Sequence, residues 1–183
     1  MATKIYTKQG DRGASGLPKS KKISKTDLVF EVLGTLDELS ASLGFLHSSK
    51  ISEIKTLALE IQSDLFLIGS FVAGNKIDRG IEIAWNKKIK TFEEKIDFYG
   101  SKTSPLKNFI LPGGSMESSY LHVSRSLTRR LERIFVRYLN FSKRRDLEVL
   151  ETYLNRLSDL LFSAARFSNK KRGTPDLIWK PSK

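Results

Sequence analysis

Leu28, Val32, Leu36, Leu39, Leu43 and Leu46 recur at intervals of three and four residues. That spacing places side chains on one face of an α-helix, and no segment of the chain alternates with period two for long enough to predict a strand. A first helix is predicted over 27–47. A second, over 51–72, stacks Ile54, Leu57, Ile61, Leu65 and Ile68 on one stripe, with Gly74-Asn75 as its stop signal. A shorter third helix is predicted over 85–99 from Ile89, Phe92, Ile96 and Tyr99, and Leu111-Pro112-Gly113-Gly114 then breaks the chain and leaves Ser115 as an N-cap. Two long amphipathic helices follow over 116–141 and 145–169, with the stripes Leu127-Leu131-Ile134-Tyr138 and Leu150-Leu154-Leu157-Leu161. The expected fold is all-α, an up-and-down bundle of five helices over 26–169. A flexible polar arm over 1–25 precedes it, a loop lies near 100–114, and a tail runs over 170–183.

No linker rich in Pro, Gly or Ser divides the 183 residues, so 1–183 is read as a single domain. An apolar fraction of 39 % and a charged fraction of 28 % belong to an ordinary globular chain. With no cysteine, disulfides, thiolate metal sites and a cysteine nucleophile are excluded. The opening MATKIYTKQGDRG lacks the apolar run of a secretory signal, and no 18-residue uncharged apolar stretch could span a bilayer. A cytoplasmic protein with no membrane partner is expected. The net charge of +12 gathers in short clusters at 19–22, 87–90, 143–145 and 169–172. A solvated basic surface and a helical module that binds nucleic acid both account for it; charge alone selects neither.

Chemistry is concentrated in three places. On the fourth helix Arg125, Arg129 and Glu132 are separated by four and three residues, so they share a face, with His122 one turn earlier. Guanidinium forks suit phosphate oxygens, and a solvated, salt-bridged face is the alternative. On the fifth helix Asn155-Arg156-Leu157-Ser158-Asp159 puts an asparagine at mid-helix beside core residues, either as a ligand contact or as a tie between helices. In the arm, Gly10 and Gly13 flank Asp11, with Lys8, Ser15, Gly16 and Lys25 nearby, a pattern suited to an anion-binding nest although it is neither a Walker loop nor GxGxxG. Asp37 and Glu38 stand where the apolar pattern of the first helix turns over, and Asp37 could pair with an arginine of another helix or subunit. With only His47 and His122, a histidine-rich metal site is not expected.

Taken in order, Ile5-Tyr6-Thr7-Lys8, Gly10-Asp11, Gly13, Lys25, Gly34-Thr35, Asp37-Glu38-Leu39, Phe109-Ile110-Leu111-Pro112-Gly113-Gly114, Leu121-His122-Val123, Arg125, Arg129-Arg130, Glu132-Arg133 and Asn155-Arg156-Leu157-Ser158-Asp159 resemble the propanediol-utilisation type of ATP:cob(I)alamin (corrinoid) adenosyltransferase. The resemblance spans about 4–169. It implies a homotrimer with a site between subunits, where the 5′-deoxyadenosyl group of ATP passes to Co(I) of a reduced cobalamin or other corrinoid and triphosphate leaves. By position, Thr7, Lys8, Gln9, Gly10, Ser15, Gly16 and Lys25 would wrap ATP from the arm. Arg129, Arg130, Glu132, Arg133 and Asn155 would hold it from the bundle, with Mg²⁺ carried by the triphosphate rather than by protein side chains. Arg125 would pair with Asp37 across the subunit interface and position the corrinoid. Phe109 would fill the lower face of the corrin ring, displacing the lower cobalt ligand and easing reduction of Co(II) to Co(I). A corrinoid reductase and an adenosylcobalamin-dependent enzyme are implied as partners, and nucleic acid is not. The chain departs from the family pattern at Gln9, at Ala14-Ser15-Gly16 and at Ser118-Ser119. A trimeric relative without turnover is the other reading, opposed by the retained Arg125, Arg129, Glu132 and Asn155.

Overall fold

The computed structural model describes residues 6, 8, 10–17 and 22–181. Five helices carry the fold: α1 (Leu28–Gly44), α2 (Ser52–Val72), α3 (Arg79–Ser101), α4 (Met116–Ser142) and α5 (Glu148–Lys171). Each apolar stripe faces inward. Leu39, Leu43, Ile54, Ile61, Ile68, Leu131, Phe135, Leu154, Leu157 and Leu161 are all fully or almost fully buried in one core. Helix α5 lies between α3 and α4, α4 packs in turn on α1, and α1 on α2. Small residues meet in the seam between α1 and α4, where the Ser42 and Ser124 hydroxyls lie 2.9 Å apart.

The helix ends follow from their capping residues. Asp27 accepts from the Val29 amide, Asp78 from Ile81 and Ser115 from Ser118, each side chain satisfying an amide that the first turn leaves unbonded. The cap at Asp78 corrects the expectation for the third helix, which begins at Arg79 and has 23 residues instead of starting at Trp85. Ile81, four residues before Trp85, extends the stripe and packs on the core, but Ile83 and Ala84 face solvent and blur the period there, so the cap is the clearer signal. Helix α5 also starts later than expected, because Arg145–Leu147 forms a 3-10 turn ahead of it.

Among the described residues there are also four two-residue strands, where the periodicity predicted none. In the arm, β1 (Ala14–Ser15) pairs antiparallel with β2 (Ile23–Ser24). At the far end of the chain β3 (Ile110–Leu111), in the loop ahead of α4, pairs antiparallel with β4 (Leu177–Ile178) in the tail, Ile110 opposite Ile178 and Leu111 opposite Leu177. Strands this short show no alternation, so the sequence pattern could not reveal them. Among the described residues no helix is long and apolar enough to cross a membrane.

Candidate functional site

Helical geometry delivers the row that the spacing of α4 predicts. Arg125 is half-buried and Arg129 exposed, and Glu132 follows one turn on. Asn155 on α5 donates from Nδ2 to Glu132 Oε1 at 2.7 Å. Asn155 is exposed rather than near the core, and its bond ties α5 to α4 at the surface while bracing a carboxylate at the edge of the arginine row. Among the described residues Arg125, Arg129 and Arg133 have no carboxylate partner, whereas Arg130 is ion-paired with Glu38 of α1. Arg125 Nε is buried without a hydrogen bond. Burial, and then the neighbouring charge of Arg129, lower the pKa of Arg125 from its usual value. A guanidinium in this state is short of an anion, and none of the described residues provides one.

His122 sits beside this row, 4 % exposed, with both ring nitrogens unbonded among the described residues and its ring edge-on to Phe162. Burial, then the charge of Arg125, hold its pKa down to about 4, against a smaller opposing effect of Asp176. The imidazole is therefore neutral near pH 7 and adds no cation to the row. With Pro112, Ser119, Ser126, Arg130 and Arg133 it lines an open depression of about 550 Å³ along α4. His47, by contrast, is exposed at the end of α1 and bonds Gln62.

Asp37 lies exposed on α1 and makes no ion pair among the described residues. It borders an open groove of about 370 Å³ between α1 and α2, lined by Leu33, Leu36, Leu65, Phe66 and Gly69. Among the described residues no hydrogen bond or ion pair links Asp37 to Arg125. Phe109 is 80 % exposed, immediately ahead of β3, and its carbonyl accepts from the Trp179 amide at 2.8 Å.

The arm is built around Gly13, whose φ of +72 suits a glycine, and whose carbonyl accepts from the Lys25 amide at 2.9 Å. This hairpin carries the Lys25 ammonium back over Gly10, where an added Cβ would come within 3.1 Å of Nζ. Gly10, Ser15, Gly16 and Lys25 are thus gathered at one turn, with Lys8 just before it. Thr7 and Gln9 fall outside the described residues. No hydrogen bond or ion pair among the described residues joins these arm groups to Arg129, Glu132 or Asn155.

Two features escaped the sequence reading. The hydroxyl of Ser118 is fully buried and donates to the Gly113 carbonyl at 2.9 Å. The tail does not trail away after α5 but returns under the Phe109 loop as β4. The apolar run Leu177-Ile178-Trp179 behind Gly173 and Pro175 is the one signal that could have marked it.

A sequence model of the family described as cobalamin adenosyltransferase matches residues 5–168. A corrinoid adenosyltransferase of Citrobacter freundii is 37 % identical over 177 residues, covering 95 % of this chain and 98 % of that protein. The human corrinoid adenosyltransferase MMAB is 38 % identical over 96 % of this chain and 73 % of its own length. Among solved structures, a variant PduO-type ATP:corrinoid adenosyltransferase from Lactobacillus reuteri, complexed with cobalamin and ATP, is 31 % identical with a TM-score of 0.84, covering 97 % of this chain and all of that one.

Proposed function

The chain belongs to the cobalamin adenosyltransferase family, and from that premise we propose how its residues divide the work of the reaction. It is a corrinoid adenosyltransferase, moving the 5′-deoxyadenosyl group of ATP to the cobalt of a reduced corrinoid. In this displacement the electron pair of Co(I) forms the bond to C5′ of the ribose. The C5′–O bond breaks, and its pair leaves on triphosphate. Co(I) is already a strong nucleophile, so the protein has no base to supply; alignment and stabilisation of the leaving charge remain.

The observation that carries the assignment is the row of guanidiniums without carboxylate partners beside a braced Glu132. Arg129 and Arg133 bind the triphosphate, and Asn155 holds Glu132 so that its carboxylate is not drawn across Arg129. Arg130, engaged by Glu38, becomes available to ATP if that surface ion pair opens, which costs little. The arm turn with Lys8, Gly10, Ser15, Gly16 and Lys25 closes the other side. Mg²⁺ travels on the triphosphate oxygens, whose hard anionic donors suit it.

The working unit is a homotrimer in the cytoplasm. Unpaired Asp37, the apolar groove beside it and Phe66 at 77 % exposure support a neighbouring subunit on this face. That neighbour brings Arg125 to Asp37 and so positions the corrinoid between them. Phe109 occupies the lower face of the ring and excludes the lower cobalt ligand, which favours one-electron reduction of Co(II) by a reductase before transfer. Substituting Arg129→Ala should raise the ATP KM and lower turnover together, by about tenfold or more in kcat/KM. Unchanged constants would remove Arg129 from the site.

A further inference from the structure

Phe109 has little side-chain contact to hold it, so its position is set by its backbone, and that backbone is anchored from the tail. We infer that Asp176 is a positioning residue for Phe109, acting through β4; the inference rests on the reading of Phe109 given above. The Asp176 carboxylate bridges two residues of α5, accepting from Arg166 Nε at 2.8 Å and from Asn169 Nδ2 at 3.1 Å. The ion pair is largely buried, with side-chain exposures of 12 % and 19 %. Arg166 also donates to the Ser104 carbonyl at 2.7 Å, so the start of the 102–115 connection is held by the same side chain.

Asn169, 2 % exposed, completes the clamp at the other end of that connection: it accepts from the Ser115 amide at 2.9 Å and donates to the Gly113 carbonyl at 3.1 Å. Leu177 and Ile178 follow Asp176 directly, bond to β3, and bring the Trp179 amide to the Phe109 carbonyl. The lever from carboxylate to ring is therefore three residues long. Its parts from Asn169 onward lie beyond the 5–168 span of the family match. A shift of the ring under the corrin affects exclusion of the lower ligand and hence reduction of Co(II). The transfer step depends on the arginine row of α4, which this lever does not carry.

The test compares the full-length enzyme in two assays, one starting from Co(II) corrinoid with a reduced flavin as one-electron donor, the other from corrinoid chemically reduced to Co(I) beforehand. Asp176→Ala should slow the first by roughly tenfold or more and the second by no more than about threefold, with the ATP KM unmoved. Asp176→Asn, which keeps an acceptor for Asn169, should recover part of the loss. The double variant Asp176→Ala/Phe109→Ala should be no slower than Phe109→Ala alone, because the two residues act in series. Trp179→Pro deletes the amide donor together with a half-exposed indole, with Trp179→Ala as the control that keeps the amide, and should show the same selectivity if Asp176→Ala fails to fold. Equal losses in both assays, no loss in either, or multiplicative effects in the double variant would overturn the inference. If Phe109→Ala itself slows both assays equally, the role of Phe109 falls and the inference with it; if it is selective while Asp176→Ala and Trp179→Pro are not, the lever alone is wrong.

Discussion

Asn155 and Glu132 meet across two helices at 2.7 Å. The spacing of Arg125, Arg129 and Glu132 could be read from one strand of text because the pitch of a helix is fixed. The Asn155 contact could not, because it depends on the register of α5 against α4, and so the sequence left a ligand contact and a core tie as equal readings. Asn155→Ala should raise the ATP KM by roughly three- to tenfold with a smaller effect on kcat, since a freed Glu132 would compete with phosphate for Arg129. His122 makes a second prediction at this scale. Its folded pKa of about 4 lies below the unfolded 6.5, so the unfolded chain takes up a proton that the folded chain resists between those values. Stability is fully present above pH 6.5 and falls as pH drops toward 4, by up to ~2 kcal/mol at pH 5. Urea midpoints at pH 7 and pH 5, at equal protein concentration, should show a smaller drop in His122→Gln than in the parent.

The connection between α3 and α4 is the element on which the site turns. It starts on Arg166, ends on Asn169 and carries Phe109 between them. Gly114 adopts φ +108, and an added Cβ would overlap the Asn169 carboxamide. Gly114→Ala should therefore destabilise the fold by about 2 kcal/mol or more, measured by urea unfolding, and should lower Co(II)-initiated activity at temperatures where the variant stays folded. The sequence marked Gly113-Gly114 as a break and Ser115 as a cap, both correct, because turn and cap chemistry is local. It did not mark what closes the loop. Asp176 is 67 positions from Phe109, and a two-residue strand has no periodicity to detect. The early turns of α3 were missed for a different reason: only Ile81 carries the stripe into them, and the exposed Ile83 beside it obscures the period.

For the whole molecule, five amphipathic stripes sufficed to predict the bundle, since each must bury one face against the others. The proposed division of the site between subunits rests on resemblance, because no periodicity reports what lies across an interface. Asp37 and Arg125, which have no ion-pair partner among the described residues, give that proposal a direct test. Each of Asp37→Ala and Arg125→Ala should lose most activity alone, but unfolding and refolding the two together should restore about a quarter of the parent's sites, the fraction expected for random mixing in a closed ring. No recovery would put both residues in one subunit's site. The central claim, that this chain transfers the adenosyl group of ATP to Co(I), is tested by mixing purified protein and ATP with Co(I) corrinoid under strict anaerobiosis and following the Co(I) absorbance. The account predicts bleaching that requires ATP and protein, yields adenosylcorrinoid and triphosphate in equal amounts, and slows with Arg129→Ala. A Co(I) spectrum that persists in the presence of folded protein and ATP would contradict it.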